Sequence, residues 1–79
     1  MELLQIHFRF NGNDYKGTAL PIMEEGKSTR FVVNIPGLRQ GLTLTPVDTE
    51  TVWIVWKDFD TNEESMLIEM IGKAIERAQ

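Results

Sequence analysis

The chain contains no cysteine, and that absence excludes more than any single residue that is present. No disulfide can brace the 79-residue fold. The thiolate-rich zinc sites of small domains go with it, because His7 is the only histidine. A fold of this size buries only about 60% of its unfolded surface, and small scaffolds commonly rely on such a staple. Close packing or a partner subunit is left to do that work. A cysteine-free composition also fits a reducing compartment.

Long apolar runs are missing too. No stretch approaches the ~18 apolar residues of a membrane helix, and residues 1–5 lack the basic start and apolar core of a signal peptide. The expectation is a cytoplasmic protein with no membrane partner. Basic charge is scarce: 8 Lys and Arg stand against 12 Asp and Glu, for a net charge of −4. Residues 1–41 are nearly balanced, with five basic and four acidic side chains, whereas residues 42–79 carry three and eight. Nucleic acid is an unfavourable partner for such a chain, since phosphate neutralisation dominates that affinity. No repeat, low-complexity tract or linker divides the sequence, so residues 1–79 read as one small domain.

What is present is strand-forming. Leu4, Ile6, Phe8 and Phe10 alternate with Gln5, His7 and Arg9, the period of a half-buried strand. Asn11-Gly12-Asn13-Asp14 reads as a hairpin turn, and with Gly12 and Asn13 at its centre Phe8 would face Gly17 and Ile6 would face Ala19. The returning strand runs from Tyr15 to about Met23, where Pro21 implies an edge or the end of pairing. Arg30–Ile35 alternates again, Pro36-Gly37 fits a type II turn, and Leu38–Thr45 reads as a fourth strand with Gly41 at a bulge. Residues 46–50 read as a loop. Thr51–Lys57 is β-branched and aromatic on both faces, which places it centrally.

The helix comes last. Thr61 as N-cap and Glu64 three residues on form a capping box, opening a helix of about 17 residues, roughly 25 Å long. Leu67, Ile71, Ala74, Ile75 and Ala78 give it an apolar side. The fold expected is α+β: a four- or five-stranded, mainly antiparallel meander with one C-terminal helix packed on one face.

That fold poses an area problem. Five strands span roughly 20–25 Å and one helix about 10 Å. Either the sheet curls around the helix, or something else covers the remainder. The second face carries Leu3, Leu20, Ile22 and Val32, joined by Trp53 with Val55 or by Val52 with Ile54 and Trp56, among polar Gln5, His7, Arg9, Lys16, Thr18, Arg30 and Asn34. An exposed apolar patch of this kind marks an interaction surface, and tryptophan is a frequent anchor there.

Motifs for chemistry are weak. Asp58, Asp60, Asn62 and Glu69 fall at calcium-loop spacing, but Glu63 stands where that loop needs glycine. His7 has no orienting carboxylate. Ser28 sits in a turn and Ser65 in the first helical turn. The glycines make no phosphate loop, since Gly37–Gly41 lacks the Lys-Ser/Thr ending and a following helix. Met66, Leu67, Met70 and Ile71 suit either a partner groove or core packing. The expectation is a non-enzymatic protein-interaction or self-association module, with no cofactor and no metal. Its uncovered sheet face would bind through Trp53, Val55, Val32, Leu20, Ile22, Arg9 and Arg30. The alternatives are single-stranded nucleic acid bound on the same face and a small-molecule or enzymatic site at a dimer interface.

Overall fold

The computed structural model describes residues 3–48 and 54–79. Five strands follow one another in the chain: β1 (Leu4–Phe10), β2 (Asn13–Glu24), β3 (Lys27–Ile35), β4 (Arg39–Asp48) and β5 (Ile54–Asp58). The helix α1 (Met66–Ala78) closes the chain. All neighbours are antiparallel and the sheet order is β1-β2-β3-β4-β5, a meander. The sheet is curled, and α1 packs against β1 at one edge and β5 and β4 at the other. Curling is the first of the two ways out of the area problem, and it uses the natural right-handed twist of strands.

The period-two pattern fills the concave side. Ile6 and Phe8 of β1, Ala19 of β2, Phe31, Val33 and Ile35 of β3, Leu42 and Leu44 of β4 and Trp56 of β5 meet Ile68, Ile71, Ala74 and Ile75 of α1. Trp56 is 1% exposed and leans on Phe31, ring centroids 5.6 Å apart. Its other neighbour is the helix backbone itself, since a Cβ placed on Gly72 would fall inside the indole. The indole N–H donates to Glu76 Oε2 at 2.8 Å, and the Trp56 amide donates to Glu69 Oε1 at 2.9 Å. Among the described residues no buried side-chain nitrogen or oxygen lacks a hydrogen-bond partner.

Four expectations are corrected. The first hairpin turns at Asn11-Gly12, so that Phe10 pairs with Asn13, Phe8 with Tyr15 and Ile6 with Gly17. Both turn residues take positive φ, 51° and 78°, the requirement of a type I′ turn that asparagine and glycine meet most readily. Phe8 therefore stacks on Tyr15, centroids 5.7 Å apart, rather than on Gly17. β5 is an edge strand and not a central one; its first expected residues, 51–53, lie outside the described ones. Pro46–Asp48 belongs to β4 and not to a loop, with Pro46 opposite Trp56.

The helix begins later than its capping-box pattern predicts. Its N-cap is Ser65, whose Oγ accepts from the Ile68 amide, and α1 has 13 residues. Thr61 lies in a loop wound on Asp58, whose Oδ1 accepts from the Asp60 and Thr61 amides at 2.8 and 3.2 Å. Asn62 holds φ at 63°, a left-handed conformation that ends any helix started at Thr61. Elsewhere the turn chemistry agrees. Leu38 N–H donates to Ile35 O across Pro36-Gly37, β1 pairing ends at Leu4–Ala19 before Pro21, and the β3–β4 register shifts beside Gly41.

Gly72→Ala tests the flush contact between indole and helix. Alanine favours a helix interior by about 1 kcal/mol, but overpacking typically costs about 1–3 kcal/mol or more. Calorimetry should show a melting temperature lower by roughly 5–15 °C. A rise would mean that the indole does not rest on the Gly72 backbone.

Candidate functional site

The convex face of the sheet carries the outward half of each strand. Leu20 of β2 pairs with Val32 of β3, Val32 pairs with Thr43 of β4, and the amide of Phe59 donates to Thr43 O at 2.8 Å. These four positions make one row across the sheet. Leu20, Val32 and Phe59 are 37%, 36% and 50% exposed. Beside the row, Ile22 pairs with Arg30, and the Arg30 guanidinium lies 4.8 Å from the centre of the Phe59 ring, a cation–π distance. Arg30 also pairs with Glu24 at 2.9 Å. A second apolar pair, Val47 with Val55, sits further along β4 and β5.

Six of the seven residues expected to bind are thus placed on one face: Val55, Val32, Leu20, Ile22, Arg9 and Arg30. Trp53 lies outside the described residues. Among the described residues, alternation puts Val55 outward and Ile54 and Trp56 inward; Val52, like Trp53, lies outside them. Phe59 is the member that sequence reasoning missed. Its signal was present, because the residue after an inward Asp58 falls outward if strand geometry continues one step past β5.

Three basic residues of this face are paired with carboxylates, and Lys16, opposite His7, is exposed. Arg9 pairs with Asp14 at 3.9 Å, Arg30 with Glu24, and Lys57 with Glu64 at 3.9 Å. His7 is exposed on the same face. A shallow hollow of about 270 Å³ lies between Gln5, Lys16, Thr18, Asn34 and Pro36.

The residues at calcium-loop spacing are otherwise engaged. Asp58 is 6% exposed, its carboxylate holds the turn described above, and its amide and carbonyl bond to Glu63 O and the Asn62 amide. Glu69 holds the Trp56 amide. Among the described residues no three His, Asp or Glu side chains converge as a metal site would need. No helix of the described residues is long and apolar enough to cross a membrane.

A different concavity lies on the far side of β1. Phe8 and Arg9 of β1 and Met66, Glu69, Met70, Lys73 and Arg77 of α1 line a groove of about 430 Å³. Met66 is 75% exposed, while Leu67 and Met70 are half-buried and Ile71 is fully buried. Of the four residues weighed as a partner groove, the methionines line it and Ile71 belongs to the core.

The carboxylate of Asp58 is a structural anchor on this geometry. Asp58→Ala leaves the Asp60 and Thr61 amides without their partner and should cost about 1–3 kcal/mol. In the wild type, millimolar calcium should leave the melting temperature unchanged. A calcium-dependent rise that disappears in the Asp58→Ala variant would overturn the anchoring role.

No family model matches the chain, and no curated protein or solved structure matches it either. Any functional reading therefore rests on where the fold places these residues.

Proposed function

We propose that the chain is a non-enzymatic interaction module that associates with a second copy of itself through the convex sheet face. The observation that carries this reading is the row Leu20–Val32–Phe59. Large apolar side chains of β2, of β3 and of the residue after β5 stay part-exposed there, although the fold already has a closed core to place such groups in. Two further features support self-pairing. The face carries both signs, Arg30 and Lys57 against Glu24 and Glu64, so a two-fold arrangement can set each charge opposite its complement, as isologous interfaces do. A small core, with no disulfide to brace it, gains most from such added burial.

Sedimentation velocity between about 10 and 500 µM tests the reading. A concentration-dependent shift from the 9.1 kDa monomer to a dimer is expected, and Leu20→Lys with Val32→Glu should abolish it while circular dichroism stays unchanged. A strict monomer across that range, or a dimer indifferent to both substitutions, ends the proposal.

A further inference from the structure

β1 is the one edge strand whose outer side is not met by a carboxylate of α1 among the described residues. A two-residue hairpin closes on a hydrogen-bonded pair, here Phe10 with Asn13, and such pairs recur at every second residue. Phe8, Ile6 and Leu4 therefore bond to β2, and the backbone N–H and C=O groups of Gln5, His7 and Arg9 point away from the sheet. The structure bears this out at one position, where Arg77 of α1 reaches across to donate to His7 O at 3.3 Å. The opposite edge is treated differently, because the outward Trp56 amide on β5 is already held by Glu69.

The groove beside this open edge has a graded lining. Met66, Met70, Lys73 and Arg77 recur at i, i+4, i+7 and i+11, one continuous stripe of a helix. The stripe is apolar at its start and cationic at its end, and Phe8 forms part of the same wall. Lys73 shares Glu76 with the Trp56 indole, and Arg9 has an exposed contact with Asp14 at 3.9 Å. Among the described residues Arg77 donates only to the His7 carbonyl. Of the three cations lining the groove, Arg9 and Lys73 contact Asp14 and Glu76, and Arg77 is the one without a carboxylate partner among the described residues, in a chain whose net charge is −4.

We infer that β1 and this stripe together form a docking site for an extended acidic peptide, which adds to the sheet as a further strand beside β1. The outward N–H and C=O groups of Gln5, His7 and Arg9 bind its backbone, the His7 carbonyl once Arg77 releases it, the mode in which main-chain bonds supply affinity and alternate side chains supply choice. One inward side chain of the peptide is apolar and sits against Phe8, Met66 and Met70. A carboxylate further along meets Lys73 and Arg77, with Arg77 exchanging the His7 carbonyl for the stronger charge-assisted bond. Met70 and Arg77 are seven residues apart on the helix, roughly 10 Å. A strand advances ~6.7 Å per two residues, so the acidic residue lies two to four places from the apolar one.

Peptides of eight residues test this, alternating threonine with one inward leucine and an aspartate two or four places away, titrated into the isotopically labelled full chain. Amide shifts at Gln5, His7 and Arg9 and methyl shifts at Met66 and Met70 are expected. Lys73→Glu with Arg77→Glu, at a half-buried and an exposed side chain of the groove wall, should weaken binding at least tenfold, and a peptide with lysine for aspartate should bind that variant better than the wild type. Alternate N-methylation of the peptide amides facing β1 should abolish binding, while methylation in the other register should not. The inference is overturned by the absence of shifts at millimolar peptide, by shifts confined to the convex face, or by binding indifferent to N-methylation or charge reversal. Decanoate moving the methionine methyls while no peptide shifts the edge amides would likewise overturn it, in favour of a lipid carboxylate. None of these outcomes depends on whether the chain dimerises.

Discussion

The contact of Trp56 with the backbone of α1 at Gly72 is the constraint on which the rest of the structure depends. An indole removes roughly 150–250 Å² from water, worth about 4–6 kcal/mol at ~25 cal/mol per Å². That is comparable to the whole net stability of a small domain. The ring lies flat on the helix only because residue 72 has no side chain. Two carboxylates from the same helix then fix it, Glu69 on the backbone amide and Glu76 on the indole N–H. Burial alone would leave α1 free to slide along the sheet. Two directional bonds at i and i+7 set both its axial position and its rotation.

Fixing α1 against β5 decides what becomes of the two sheet edges. An open edge is a liability, because its unpaired N–H and C=O groups invite further strands. Here one helix serves two edges by lying in the mouth of the curl. It meets β5 with carboxylates and β1 with methionines, a lysine and an arginine. The edges are therefore unlike: β5 has its outward Trp56 amide bonded, and β1 keeps Gln5, His7 and Arg9 turned outward beside a concavity. By the same geometry the convex face is a broad surface that α1 does not touch.

Much of this was legible in the residues, and the failures have physical causes. Alternation located β1 and the core face of β3. The first hairpin register was wrong by two residues, an error that leaves every side chain on its correct face, so the hydrophobic pattern could not reveal it; only the demand for positive φ at both turn positions does. The helix start was misplaced because Thr61–Glu64 matches a capping box, whereas Ser65 has Ile68 where the box needs a carboxylate. The buried Asp58, a tertiary feature, takes the amides that a helix from Thr61 would need. β5 read as central because it is apolar on both sides, but α1 covers only its inward side at Trp56, and Val55 lies outward opposite Val47. Gly72 offered a usable signal, since an isolated glycine in a helical pattern costs about 1 kcal/mol and calls for a packing reason. The groove at β1 was half legible: its methionines stood out, but Arg77 and the strand edge meet them only through the fold.

Net charge describes the field at any one place on this surface only coarsely. A value of −4 argues against an anionic ligand if the chain is treated as a point. A bound group, however, responds to charges within about 8–10 Å, the screening length near physiological salt. The carboxylates of this chain are concentrated in the loop around Asp58 and in pairs with Arg9, Arg30 and Lys57. Glu69 and Glu76 bond to Trp56 of β5, although Glu69 also lines the groove and Glu76 contacts Lys73. Arg77 stands at the C-terminal end of α1, where the helix dipole favours a cation, and the same placement carries it over β1. The helix that holds the core closed on one side therefore sets a cationic end beside the open strand edge on the other. At that edge the sign of the field follows from how α1 is seated on Trp56, and not from the composition of the chain.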